Sequence, residues 1–303
     1  MNEFITLERP SLELNQYLLG EISPSIRAIP VRSMNVNRAN EKVTFQLVDV
    51  KDIRRPHFLK ILAQVFRFDL LTLTLMPGVL TASLMAGQIQ NWNYVAMALL
   101  SFFFLHGAIF CRNDYVDHMT GVDRLNEKGG SRVIQNGWLR AITVKRLYHV
   151  MLLMTMSLAI PVVLAQPEFL RLKVLPLPIY LMGFYFTWLT LAYVGVRRVI
   201  SMVVDDEAGI RTLPVRIGFD RAQQLIVGLF ILAAITICIY FGISVFRFHN
   251  ILFALPIVGY IIFLCVRTLS VTSPLSSYLY SLPHKIIQLH FYSGLYMFLM
   301  SIL

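Results

Sequence analysis

Residues 92–124 read WNYVAMALLSFFFLHGAIFCRNDYVDHMTGVDR. Positions 92–111 contain no Lys, Arg, Asp or Glu. An apolar run of about 20 residues is long enough to cross the hydrocarbon of a bilayer as a helix. Directly after it come Asn113, Asp114, Asp117 and Asp123. The stretch therefore predicts a membrane helix that delivers acidic side chains at its end. Similar apolar runs recur at about 67–87, 147–165, 174–196, 222–246, 250–266 and 286–303, which makes seven candidate spans.

The whole chain agrees with this local reading. Of its 303 residues 56% are hydrophobic and only 15% are charged, against roughly 25% charged in an ordinary soluble domain. The mean hydropathy is +0.64. Such a composition excludes a disordered chain, a nucleic-acid-binding protein and most soluble enzymes. The expected fold is all-α, a multi-span transmembrane bundle in a lipid bilayer. Residues 1–60 show no sustained helical or strand period and read as a partly ordered cytoplasmic extension, with residues 61–303 as the membrane domain. Met1–Gly20 carries Glu3, Glu8, Arg9 and Glu13 without an apolar core, so no signal peptide is expected. Cys111, Cys238 and Cys265 lack CxxC spacing and indicate neither a disulfide framework nor a zinc site.

The net charge of +10 fits basic cytoplasmic loops better than a nucleic-acid partner. With the N-terminus in the cytoplasm and seven alternating spans, 24 of the 27 Lys and Arg fall on the cytoplasmic side. That is the asymmetry expected of a membrane protein. It puts the polar loops 112–146 and 197–221 on one face.

Both loops carry chemistry. If the helix continues through the first, Asn113 and Asp117 lie four residues apart on one face, with Asp114 at its border. Oxygen ligands gathered in this way suit Mg²⁺, which is usually held by one or two carboxylates plus waters and substrate phosphates. Gly121 then ends the helix and places Asp123 on a turn. The bland alternative is a solvated acidic loop. Next comes Lys128-Gly129-Gly130-Ser131-Arg132. A Gly pair lets backbone approach a ligand, and Lys128 and Arg132 can meet phosphate oxygens; a basic glycine turn is the alternative. The second loop holds Asp205-Asp206-Glu207, then Arg211 and Arg216. Three adjacent acids do not share a helix face, so at most two of them serve one ion. Together the loops suggest a receptor for a diphosphate, with apolar helices around a hydrocarbon tail.

NDYVDHMTGVDRLNEKGGSRVIQNG (residues 113–137) resembles the first Asp-rich motif of the UbiA-type membrane polyprenyltransferases. Its Gly121 and Asp123 are most similar to the 1,4-dihydroxy-2-naphthoate polyprenyltransferases of menaquinone synthesis. DDEAGIRTLPVRIG (205–218) resembles the tail of the family's second motif, and RFDLLTLTLMPGVL (67–80) its first helix. The resemblance covers roughly 60–303. It implies a helical bundle with a central cavity and transfer of a prenyl group from a polyprenyl diphosphate to an aromatic acceptor. Mg²⁺ would be held by Asn113, Asp117 and Asp205, with Asp114 and Asp206 as further ligands. Lys128, Arg132 and Arg211 would meet the diphosphate, Arg67 and Asp123 the substrates, and Tyr180, Phe184, Tyr185 and Trp188 an allylic cation. A bacterial inner membrane is the implied location. The chain departs from the family at Ser201, where an Asp is usual, and in having two helices rather than four between the motifs, so that seven spans stand where the family has nine. Other acceptors, such as 4-hydroxybenzoate or homogentisate, and a non-catalytic prenyl-lipid binder are the neighbouring readings. A receptor, retinal protein or transporter fits less well: the charge asymmetry, the position of Lys285 at a helix edge and the acids at helix ends all argue against one.

Overall fold

The computed structural model describes residues 3–36, 38–89, 91–125, 130–165, 176–243 and 248–302. The order of elements is β1 (Glu3–Glu8), α1 (Leu12–Leu19), β2 (Ile26–Met34), β3 (Lys42–Asp49), α2 (Phe58–Val65), α3 (Leu71–Leu84), α4 (Trp92–Thr120), α5 (Val122–Leu125), α6 (Ala141–Ala165), α7 (Leu177–Ile200), α8 (Met202–Glu207), α9 (Leu213–Ile217), α10 (Phe219–Ile243), α11 (Leu255–Leu269) and α12 (Ser277–Ile302). The chain is predominantly helical. Among the described residues, five stretches are long and apolar enough to cross a membrane: α4, α6, α7, α10 and Ile251–Leu269, which contains α11. Phe68–Leu84 is apolar but shorter. The last candidate span falls in α12, where Lys285, Gln288 and His290 lower the hydropathy. Five of the seven expected spans thus meet both criteria.

The all-α expectation needs correction, because the N-terminal residues build a three-stranded antiparallel sheet in the order β1-β3-β2. In central β3, Val43 and Phe45 are fully buried and Leu47 continues the alternation, the period of two that a half-buried strand shows. The signal is only a few residues long. It is blurred in β2 by Pro30, beside which the pairing register shifts; Pro is tolerated there because β2 is an edge strand. Helix α1 begins at Ser11, whose hydroxyl accepts from Leu14 N, and adds Leu14 and Leu18 to a core with Val43 and Phe45. Met119 of α4 packs on that core.

Two compact units divide the chain. One comprises Met1–Asp69, Leu100–Leu158 and Val204–Ile210. Besides the core under the sheet, it has a second one. Ile61 and Val65 of α2, with Phe66, meet Cys111 of α4, Val133, Ile134, and Ala141 and Val144 of α6. Gly107 lets α4 approach Phe66, since a Cβ there would lie 3.3 Å from the Phe66 ring.

The other unit comprises Leu70–Leu99, Ala159–Val203 and Arg211–Leu303. Its core is built from α7, α10, α11, α12 and Leu80 of α3. Gln223 of α10 donates to Thr268 O at 2.6 Å and Val271 O at 2.7 Å. These carbonyls lie at and just after the C-terminus of α11, where backbone acceptors lack helical partners. Helices of both units leave large apolar side chains exposed, among them Leu153, Leu164, Ile235 and Val266. Few residues in the apolar stretch of α6 are fully buried, and Leu153, Met154, Met156, Ile160 and Leu164 are exposed along it. Such surface is a liability in water and costs nothing against lipid tails.

The turn after α4 depends on Gly121. Its φ is +86°, and a Cβ there would lie 2.6 Å from Val36 Cγ1. Gly121→Ala combines backbone strain with a clash and is expected to destabilise the first unit by about 1–3 kcal/mol. Thermal unfolding of the purified protein in detergent would show it as a lowered midpoint.

Candidate functional site

Helix α4 does not stop where its apolar run ends; it continues to Thr120. The continuation turns alternate sides of the acidic stretch inward and outward. Asn113 and Asp117 stay on one face, and Asn113 Nδ2 donates to Asp117 Oδ2 at 2.8 Å. This is the pairing that the four-residue spacing predicts. Asp114 faces the interior and is 2% exposed.

A buried carboxylate must be paired or neutralised. Arg67 Nη2 lies 3.2 Å from Asp114 Oδ1, and Ser131 N donates to the same oxygen at 3.3 Å. Asp114 Oδ2 is also buried and finds no hydrogen-bond partner among the described residues. Arg67 is delivered by the end of α2 in the left-handed region, at φ +48°, a strained setting for a side chain of this size. His106 Nε2 meets the Arg67 carbonyl oxygen at 3.3 Å, and the guanidinium carbon stands 5.5 Å from the centre of the Phe110 ring.

Asp123 follows on α5 and is 3% exposed. Its Oδ2 accepts from Gln135 Nε2 at 2.7 Å. Arg132, at φ +61°, donates from Nη1 to the Asp123 carbonyl oxygen at 2.7 Å. Gly130 has φ +69°, and a Cβ there would lie 2.8 Å from Asp123 Oδ1; glycine lets the loop backbone close over the carboxylate. Burial pushes the Asp123 carboxyl up to about 7, and the charges of Asp117 and Asp114 push the same way, against Arg132 and the Gln135 hydrogen bond. Asp123 therefore lies close enough to Asp114 and Asp117 to feel their charge.

In the second acidic run the three neighbours part. Asp205 on α8 is 1% exposed, while Asp206 and Glu207 are exposed. Residues 204–210 belong to the same compact unit as Arg67, Asn113, Asp114, Asp117, Asp123 and Arg132. A cavity of about 200 Å³ in this unit is lined by Ser33, Asn35, Val36, Arg38, Leu125 and Glu207. Its walls thus come from the sheet region and from segments adjoining both acidic runs. Ser201 ends α7 in a helical conformation as its C-cap, with N donating to Arg197 O at 3.2 Å. The four-residue spacing from Ser201 to Asp205 crosses a break between two helices. Lys128 lies outside the described residues. Arg211 is exposed and belongs to the second unit. Of the aromatic residues on α7, Tyr185 is fully buried, whereas Tyr180 and Phe184 are exposed and Trp188 is partly buried; these four do not share one environment.

Sequence reasoning missed the groups that hold the acids: Ser131, Gln135, His106 and the role of Arg67 as partner of Asp114. None of them has a spacing signal, because the contacts join segments 12 to 47 residues apart. Among the described residues no group of three His, Cys, Asp or Glu is already assembled around a metal position. The donors are nevertheless hard oxygens and a carboxamide, with one buried carboxylate oxygen unpartnered. This fits Mg²⁺ held partly by substrate phosphates and water, rather than a closed protein cage.

The raised Asp123 sets a direction for pH dependence. Its carboxyl binds a proton more tightly in the folded chain, at about 7, than the reference value of 3.8. Its contribution to stability is full below about pH 4 and is lost as pH rises through 7. Asp123→Asn, which keeps an acceptor for Gln135, should gain stability relative to wild type as pH rises from about 4 to 7, by at most about 1.4 kcal/mol per pH unit, and gain no more above that. Thermal midpoints of both proteins across that range would reveal the divergence; parallel curves would contradict it.

No protein-family model, curated protein or solved structure matches this chain.

Proposed function

We propose that this protein is an integral membrane, Mg²⁺-dependent prenyltransferase that moves a polyprenyl group from its diphosphate to an aromatic acceptor, with 1,4-dihydroxy-2-naphthoate as the acceptor in quinone synthesis. The observation that carries the reading is Asp114: a buried carboxylate with one oxygen on Arg67 and the other unpartnered among the described residues, beside the Asn113–Asp117 pair. Five long apolar helices supply the bilayer setting that a prenyl tail needs. The N-terminal residues and both acidic runs share one compact unit, which supports placing all of them on the cytoplasmic face of a bacterial inner membrane.

Asn113, Asp117 and Asp205, with Asp114 and Asp206 nearby in sequence, are the groups that would hold Mg²⁺. When bound, Mg²⁺ neutralises charge on the diphosphate as it leaves. Arg132 and, beyond the described loop, Lys128 add positive charge for the phosphate oxygens, and Arg211 is the third cation of the motifs. Arg67 holds Asp114 in place through the contact of its guanidinium with Oδ1. The carbon–oxygen bond to the diphosphate breaks with its electron pair on oxygen. The allylic cation left behind is attacked by the electron-rich ring, which then loses a proton, or CO₂ where the ring is carboxylated. Aromatic faces such as those of Phe184 and Trp188, whose rings stack at 6.3 Å, are suited to a passing cation.

A second reading is favoured by one observation. With Ser201 closing α7, the second motif turns only Asp205 inward, and a chain with a single carboxylate there can retain a prenyl diphosphate without turning it over.

Membranes incubated with Mg²⁺, a labelled polyprenyl diphosphate and a panel of aromatic acceptors should yield prenylated 1,4-dihydroxy-2-naphthoate. Asp117→Ala is expected to lower the rate by about 10²–10³-fold, the scale on which removing one group that stabilises developing charge acts. Arg146→Ala, on an exposed position of α6, should change little. Binding of the diphosphate without product for any acceptor would favour the non-catalytic reading.

A further inference from the structure

The sheet that composition and periodicity left as an extension is tied to the acidic turn by charge. Glu41, just before β3, is 0% exposed. Its Oε2 lies 2.8 Å from Arg9 Nε, and its Oε1 pairs with Arg124 Nη2. Both arginines also hold the end of α4. Arg9 Nη2 donates to Met119 O at 3.1 Å, and Arg124 Nη1 donates to His118 O at 3.0 Å. The last carbonyls of a helix lack partners within it, so these two guanidiniums cap α4 from outside. His118 Nε2 meets Leu18 O at 3.0 Å, a further tie between α4 and α1. The capped residues lie directly between Asp117 and Asp123.

We propose that Glu41 is a positioning residue for the acidic site: through Arg9 and Arg124 it fixes the C-terminus of α4, and so the spacing of Asp117 from Asp123. The N-terminal sheet is then a working part of the site. As the site's catalytic role, this rests on the prenyltransferase reading; as a constraint on residues 118–125, it does not. The chemistry requires a carboxylate at this point. Two guanidiniums share one buried partner, and Arg124 has a side chain only 3% exposed. Without the negative charge they repel each other in a poorly solvated setting, and their grip on the Met119 and His118 carbonyls loosens. The Glu41–Arg124 pair also joins the segments that carry Arg38 and Leu125, two of the residues that line the small cavity.

The test uses the full-length protein in lipid nanodiscs and compares wild type, Glu41→Gln, Glu41→Asp and Lys42→Gln. Lys42 pairs with Glu8 on the exposed part of the same sheet, so its replacement perturbs the sheet without touching the clamp. Amide hydrogen exchange over 118–125 should rise about tenfold or more in Glu41→Gln, the change expected when hydrogen bonds to a charged group are lost from a locally opening segment, with exchange in α10 unchanged. Glu41→Asp should recover part of the protection, and Lys42→Gln should resemble wild type. In the transfer assay, Glu41→Gln should raise the Mg²⁺ concentration needed for half-maximal rate more than it lowers the maximal rate. Unchanged exchange over 118–125 in Glu41→Gln, or an equal rise throughout the molecule, would overturn the proposal. If wild type transfers no prenyl group to any acceptor, the prenyltransferase reading fails, and the exchange result alone still decides the clamp.

Discussion

A carboxylate placed inside a protein at the end of an apolar helix has to meet a cation, and at Asp114 that cation is Arg67. The requirement is sharpened by position. The C-terminal end of a helix carries partial negative charge, and α4 gathers Asn113, Asp114 and Asp117 in its last turns. Left alone, such a helix end would repel its own side chains. Among the described residues the fold answers with guanidiniums from four other places: Arg9 before α1, Arg67 after α2, Arg124 on α5 and Arg132 in the following loop. Much of the first unit's architecture can be understood as what brings those four groups there.

That delivery leaves marks on the backbone. Arg67, Gly121, Gly130 and Arg132 all have positive φ, and all four lie within the segments that surround the acidic residues. For the two arginines this is an unfavourable conformation that the surroundings must hold. The His106 contact with the Arg67 carbonyl and the two-sided hold on Asp123 by Gln135 and Arg132 supply that support. Positive φ is thus gathered beside a buried carboxylate oxygen that has no hydrogen-bond partner among the described residues.

How much of this was legible in the sequence varies by mechanism. The apolar helices were readable because bilayer thickness imposes a length on them. The Asn113–Asp117 pair was readable because a helix brings i and i+4 together whatever surrounds it. Helix geometry keeps three adjacent acids off one face, but it did not separate Asp205, which is buried, from Asp206, which was also expected as a ligand and is exposed. The sheet was not readable, since its alternation in β3 spans only Val43 to Leu47 and β2 is interrupted by Pro30. Nor was the pairing of Arg67 with Asp114, which depends on α2 packing against Gly107. The break at Ser201 also escaped: Val199, Ile200, Val203 and Val204 around it are weak helix formers, but no Gly or Pro marks the place where α7 ends.

The length of α4 carries a consequence of its own. At 1.5 Å per residue, its 29 residues extend about 43 Å, while the hydrocarbon of a bilayer is only about 30 Å thick. Even with moderate tilt, a turn or two must emerge into the headgroup layer, and the uncharged run from Trp92 to Cys111 dictates which end does. Were α4 to cross a bilayer, Asn113 to Thr120 would stand at the boundary between oil and water, the depth at which an amphiphile in the same leaflet keeps its charged head. The helix would then act as a ruler that carries its acids to that mark.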